Sequence, residues 1–235
     1  MVWAHNKGSH TLLRWILVCG TILATPEGTS SNGEDQLALI LRDRPKLAVI
    51  LESHSSLRDW VVREFDRTSE GLRPLWDPSQ PVSGRAAEHE YSSRGRRAGK
   101  VADGTAVFRV SARRTGWDQL TGLVFELHNF RGSRRFEEIH RAAVRGTIDK
   151  SAYVRQILEQ EILALKTTKE FLRRNVLSLP GAGQDGSTLF WQLLNSEDSL
   201  DSHLRRYERR GQDLKEFYEK LYEDEVVPEM RGGPK

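Results

Sequence analysis

The chain has 235 residues, enough for one large or two small domains. Its 37% hydrophobic and 29% charged residues suit a soluble globular protein and exclude a disordered one. The net charge is +3, and beyond the first 24 residues 34 basic residues face 33 acidic ones, a balance that excludes a dedicated nucleic-acid binder.

Residues 1–24 carry Lys7 and Arg14, no acid, and a ten-residue apolar run over 15–24. That run is too short to span a bilayer as a stable helix. Followed by Thr25-Pro26-Glu27-Gly28, it has the shape of a secretory signal. An uncleaved N-terminal anchor and an ordinary buried segment are the alternatives. The single cysteine, Cys19, falls in this run, so nothing downstream forms a disulfide, a thiolate metal site or a catalytic thiol.

A polar linker over 25–34 leads to a short helix over 35–41. Asp43 then caps a second segment with Pro45 at its start. Residues 46–52 fit a helix or a buried strand, and the helix is preferred because Ser55-Ser56 starts another at once. Leu57, Trp60, Val61 and Phe65 give that third helix an apolar face. Residues 72–100 read as irregular, broken by three prolines and three glycines. Within them 88–91 fits an exposed alternating strand. Glu88 and Glu90 face opposite to His89 there, so the three make no metal site. His54 reads as a cap or exposed residue. Arg94, Arg96, Arg97 and Lys100 form a basic loop with few aromatics to stack bases, a solvated face.

The alternating run over 105–112 and the turn Arg113-Arg114-Thr115-Gly116 lead into a helix over 117–130. Thr115 is placed to cap it, with Asp118 in the capping-box position. Leu120, Leu123, Val124, Leu127 and Phe130 form one stripe, while Phe125 and Asn129 lie off it. A helix with a phenylalanine on its second face is buried on both sides, so it is a central helix. The order strand, turn, helix with a mid-helix glutamate resembles the active-site layout of zincin metallopeptidases. In that family His-Glu-x-x-His places two zinc ligands at i and i+4, with the glutamate polarising water. This chain reads Phe125-Glu126-Leu127-His128-Asn129. Glu126 stands at the base position as a relic, and Phe125 and Asn129 replace the two histidines. In the gluzincin branch a later helix supplies a third ligand, and Glu161 matches that place. The resemblance covers 88–171 and implies a pseudo-enzyme without metal or other cofactor.

Further on, Ser133 caps a helix with Phe136, Ile139, Ala143 and Val144 inward and His140 half buried. Gly146 stops it. The longest run begins at Asp149 or Ser151 and brings Glu161 close to its apolar face, where a carboxylate needs a partner. A glycine-bearing loop over 179–187 precedes a helix over 189–194. A charged helical stretch over 199–227, with Gly211 as a break, packs one-sidedly through Leu200, Leu204, Tyr207, Leu214, Phe217 and Leu221. The tail from Pro228 reads as disordered.

These readings predict an α+β, mainly α-helical protein with a two- or three-stranded sheet beside the central helix. The segments are 1–24, a helical region 25–75, a zincin-like core 76–175 and C-terminal helices 188–227. The first functional expectation is an exported, inactive zincin-like domain that binds an unknown protein partner, with no nucleic acid and no membrane beyond an N-terminal anchor. The second is a helical scaffold assembling through 199–227. The third is an atypical metal-dependent hydrolase drawing on His128 or His140.

Overall fold

A computed structural model describes residues 33–69, 71–81, 86–91, 104–197, 199–208 and 213–232. Residues 1–24, read as a secretory signal and containing Cys19, and residues 94–100, read as a basic loop, lie outside them.

Three helices open the described chain: α1 (Gly33–Asp43), α2 (Pro45–Ser53) and α3 (Ser55–Asp66). Residues 46–52 are helical, as the close spacing of the next helix start predicts. Leu47, Ala48, Ile50 and Leu51 are buried while Val49 stays exposed, the pattern of one helical face. Asp43 does not cap α2. Arg44 takes the cap position and Pro45 the first turn, where its missing N–H costs nothing.

The sheet has three strands, β1 (Arg73–Trp76), β2 (Ala87–Tyr91) and β3 (Thr105–Val110), in the order β1-β3-β2. β1 runs parallel to β3 and β2 antiparallel to it. The chain is therefore α+β and mainly helical with a small mixed sheet. β1 falls in the stretch read as irregular. Pro74 masks it in the sequence, yet β1 is an edge strand, where a missing donor is tolerated. β2 is not exposed either, since Glu88 and Ala87 are buried.

Helix α4 (Gly116–Arg131) is the centre of the molecule, with 13 of its 16 residues buried. Thr115 Oγ1 accepts from the Asp118 N–H, as its position predicts. The Asp118 carboxylate does not complete a capping box. It accepts from the N–H groups of Thr188 at 3.3 Å and Phe190 at 3.0 Å, capping α7 (Thr188–Leu194) instead. Two glycines let α4 sit this deep. A Cβ on Gly116 would meet the Lys46 carbonyl oxygen at 2.5 Å, and one on Gly122 would meet Ala87 Cβ at 2.9 Å. α4 thus lies directly on α2 and β2.

α5 (Ser133–Val144) starts from Gly132, and the Ser133 hydroxyl donates back to the Phe130 carbonyl rather than capping. Gly146, at φ +69°, ends the turn after it. Asp149 caps α6 (Lys150–Asn175) by accepting from the Ala152 N–H. The arm that follows comprises α8 (Leu200–Glu208), α9 (Leu214–Leu221), a π-helical turn (Tyr222–Val226) and α10 (Val227–Gly232). Pro228 and the next four residues are helical, not a disordered tail. Leu214 is buried, while Leu200, Leu204 and Phe217 pack half-buried on the same side. The Tyr207 side chain lies outside the described residues.

The apolar interior is in two parts. The first gathers α1–α4, the sheet, the second half of α6 and α7. The second joins α5 and the first half of α6 to the arm. Among the described residues no helix is long and apolar enough to cross a membrane.

Candidate functional site

The site is built around Glu126, one of the few polar residues of α4 that faces the sheet. Period-two alternation on β2 sends Glu88 and His89 to opposite sides. Glu88 accepts from Arg109 at 3.1 Å, and Arg109 also donates to Asp77 at 2.6 Å. Burial by itself would raise the Asp77 carboxyl, but the Ser79 N–H and the Arg109 guanidinium outweigh it and hold Asp77 below its ordinary value. His89 goes the other way. Its ring stacks on Phe108, with centroids 5.5 Å apart, and meets Phe130 edge-on. Its Nδ1 lies 2.7 Å from Glu126 Oε2, with both side chains mostly covered.

This dyad is the main polar contact between α4 and the sheet. The alternation rule placed His89 apart from Glu88 in the sequence, but nothing local showed that the histidine face would lie under α4.

The other positions of the broken motif have other neighbours. Phe125 is half-buried and packs on the first core. Asn129 is buried and lines a cleft of about 190 Å³ with His128, Phe136, Gln160, Leu163, Ala164 and Thr167. Its Oδ1 is shut off from solvent and has no hydrogen-bond partner among the described residues. Glu161 does not line that cleft. Its carboxylate accepts from Tyr218 Oη on α9 and lies 3.1 Å from His203 Nε2 on α8. The structure does not bring Phe125, Glu126, Asn129 and Glu161 to one point: Glu126 belongs to the sheet, Asn129 to the cleft and Glu161 to the arm. The partner that Glu161 requires inside an apolar face is present, but it is a histidine and a tyrosine from the arm.

His128 is buried, with Nδ1 2.9 Å from Thr168 Oγ1 and its ring edge-on to Trp60 and Phe171. Burial, helped by the nearby Arg131 charge, lowers its pKa to about 4. His140 is buried on α5, with Nε2 3.1 Å from Glu229 of α10. The two histidines of the hydrolase reading therefore serve separate regions, His128 the first core and His140 the arm. His54 follows α2 and precedes α3 without a side-chain capping bond, and its ring lies 6.2 Å from Trp117. Among the described residues no group of three or more His, Cys, Asp and Glu side chains is placed to hold a metal ion.

Chemically, the arrangement ties β2 to α4 through His89 and Glu126, buries an imidazole of lowered pKa at His128, and holds the arm through Glu161. No family model, no curated protein and no solved structure matches the chain.

Proposed function

We propose that the chain is an exported, catalytically silent domain with a protein-binding or structural role, zincin-like in its strand-turn-helix order, with Glu161 turned to the arm and outside any ligand set. The observation that carries this reading is the state of Glu126. The glutamate at the motif's base position is spent on a 2.7 Å pair with His89, which ties the central helix to β2. A carboxylate so held is a strut between two elements and not a base poised over a water. The residues at the two histidine positions are Phe125 and Asn129, of which the first offers no ligand atom and the second is a poor zinc ligand.

Elemental analysis of the purified, untagged full chain tests the reading. Zinc is expected at background, and Glu126→Gln is expected to lower stability by about 1–3 kcal/mol, the range for disturbing a buried hydrogen-bonded pair. One zinc per chain sinks the silent reading. Export rests on residues 1–24. Protein recovered outside the cytoplasm is expected to begin after residue 24, whereas an intact leader on a cytoplasmic product sinks it.

A further inference from the structure

The first core draws its buried residues from Leu37 through Leu194, so it closes without residues 199–232. The second joins Ile139, Ala143, Tyr153, Val154, Ile157 and Leu158 to Leu214, Tyr222 and Val226 of the arm. A segment whose departure leaves one core whole is a natural unit of sub-global opening.

Two of its polar attachments meet at one residue. Glu161 holds α8 through His203, at 3.1 Å, and α9 through Tyr218. Glu161 and His203 are buried, so that contact forms away from competing water, while Tyr218 is half-buried. Two further pins each carry an exposed acid. Glu229, which meets His140, is 42% exposed, and Glu223, which meets Lys150, is 54% exposed. Exposed ion pairs contribute little. The seam is also incompletely filled. A groove of about 400 Å³ runs between α6 and the arm over Val154, Leu158, Leu200 and Leu204.

We propose that the elements over 199–208 and 213–232 are a self-docked arm that opens as one unit at Glu161, and that the α5–α6 face beneath it accepts the same arm from a second copy of the chain. The occupant follows from the fit. The face already packs this arm's apolar side chains and meets it at the Glu161 carboxylate. The same contacts made between two chains need no new surface, which is why exchange of an identical element is a low-cost route to a dimer. The inference rests on the two-core packing and not on the zincin-like reading, so each survives the failure of the other.

Native-state hydrogen exchange on the full chain tests it. In low denaturant the arm is expected to exchange through an opening that leaves α4 protected. Glu161→Ala is expected to speed arm exchange by roughly ten- to a hundredfold, the loss of hydrogen bonds to one buried charge, with α4 unchanged. Leu123→Ala, in the first core, is expected to do the reverse. After concentration, the Glu161→Ala chain is expected to show a species of twice the chain mass by light scattering. If arm and α4 exchange in a single event in the wild type, the latch is overturned. If the arm opens separately but the variant stays monomeric, the second copy is overturned as occupant. Tyr218→Phe, which removes one bond and little volume, guards against a misfolded alanine variant. Its acceleration should be smaller and confined to the arm, and a uniform acceleration overturns the proposal.

Discussion

Replacing Arg44 by Met is expected to cost about 3–5 kcal/mol, among the largest losses for a single change in this protein. The guanidinium is buried, and every group it binds is a backbone carbonyl. Nε donates to Val110 at 2.7 Å, one terminal nitrogen to Asp43 at 2.8 Å, and the other to Pro78 at 2.8 Å and Ser79 at 3.2 Å. It also lies over the Trp76 ring, 5.0 Å from the centroid. Burial pulls its pKa below the ordinary arginine value, and the charges of Asp43 and Asp77 offset part of that.

The geometry explains why a charge is tolerated there. Arg44 sits where α1 gives way to α2, beside the end of β3 and the segment after β1. Those chain ends have carbonyls with no ladder partner, and a planar fork serves several at once. Met fills much of the volume but leaves the carbonyls shut in and unpaired. Lys is expected to recover only part of the loss, because one ammonium cannot reach acceptors on three sides. Urea unfolding gives the comparison directly. A Met variant within about 1 kcal/mol of wild type would show that water reaches these carbonyls and that the arginine is not their support.

Nothing in the sequence marks Arg44, and the reason is general to this fold. Periodicity reports which face of an element is apolar, not which polar group ends up beneath another element. α4 was legible as the central helix because Phe125 adds a second apolar direction to the stripe of Leu120, Leu123, Leu127 and Phe130. Its start was legible because Thr115 caps through a local bond. Glu161 was legible as a carboxylate in need of a partner, since its position on α6 alone put it among apolar neighbours. His203 and Tyr218 were not legible as that partner, being 42 and 57 residues away. Asp118 misled for the same reason. Its local spacing suggested a capping box, but the N-terminus of α7, 70 residues on, offered better donors.

His89 shows a finer limit. The side of β2 it occupies follows from alternation. Its depth follows from how closely α4 approaches, which Gly122 permits by having no side chain against Ala87. The pair with Glu126 is thus a consequence of a glycine thirty-three residues further along the chain. β1 was hidden by Pro74, whose cost vanishes at an edge that only the folded sheet defines.

Acidification is expected to remove about 3 kcal/mol of stability through His128 alone. In the folded chain its pKa is lowered from the ordinary 6.5 to about 4, burial being the first cause and the Arg131 charge the second. The unfolded chain takes up a proton near 6.5 while the folded chain stays neutral until about pH 4. Unfolding between those values therefore binds a proton, and stability falls with falling pH across that window. Above it the contribution is fully present, and below it there is no further loss. The depression of about 2.5 units corresponds to roughly 3 kcal/mol.

The groups around the ring have fixed roles in this. Thr168 Oγ1 bonds Nδ1, and Trp60 and Phe171 close the site with their rings. Arg131 donates to both Glu64 carboxylate oxygens. A protonated His128 would then sit in an aromatic box beside a guanidinium, without a carboxylate of its own. His128→Gln keeps a polar partner for Thr168 and cannot titrate. Between pH 7 and pH 4.5 the wild type is expected to lose several degrees more of melting temperature than the Gln variant, at about 2–4 °C per kcal/mol for a chain of this size. Equal losses in the two would mean that His128 reaches water and charges freely, and would remove the neutral imidazole from the account of this core.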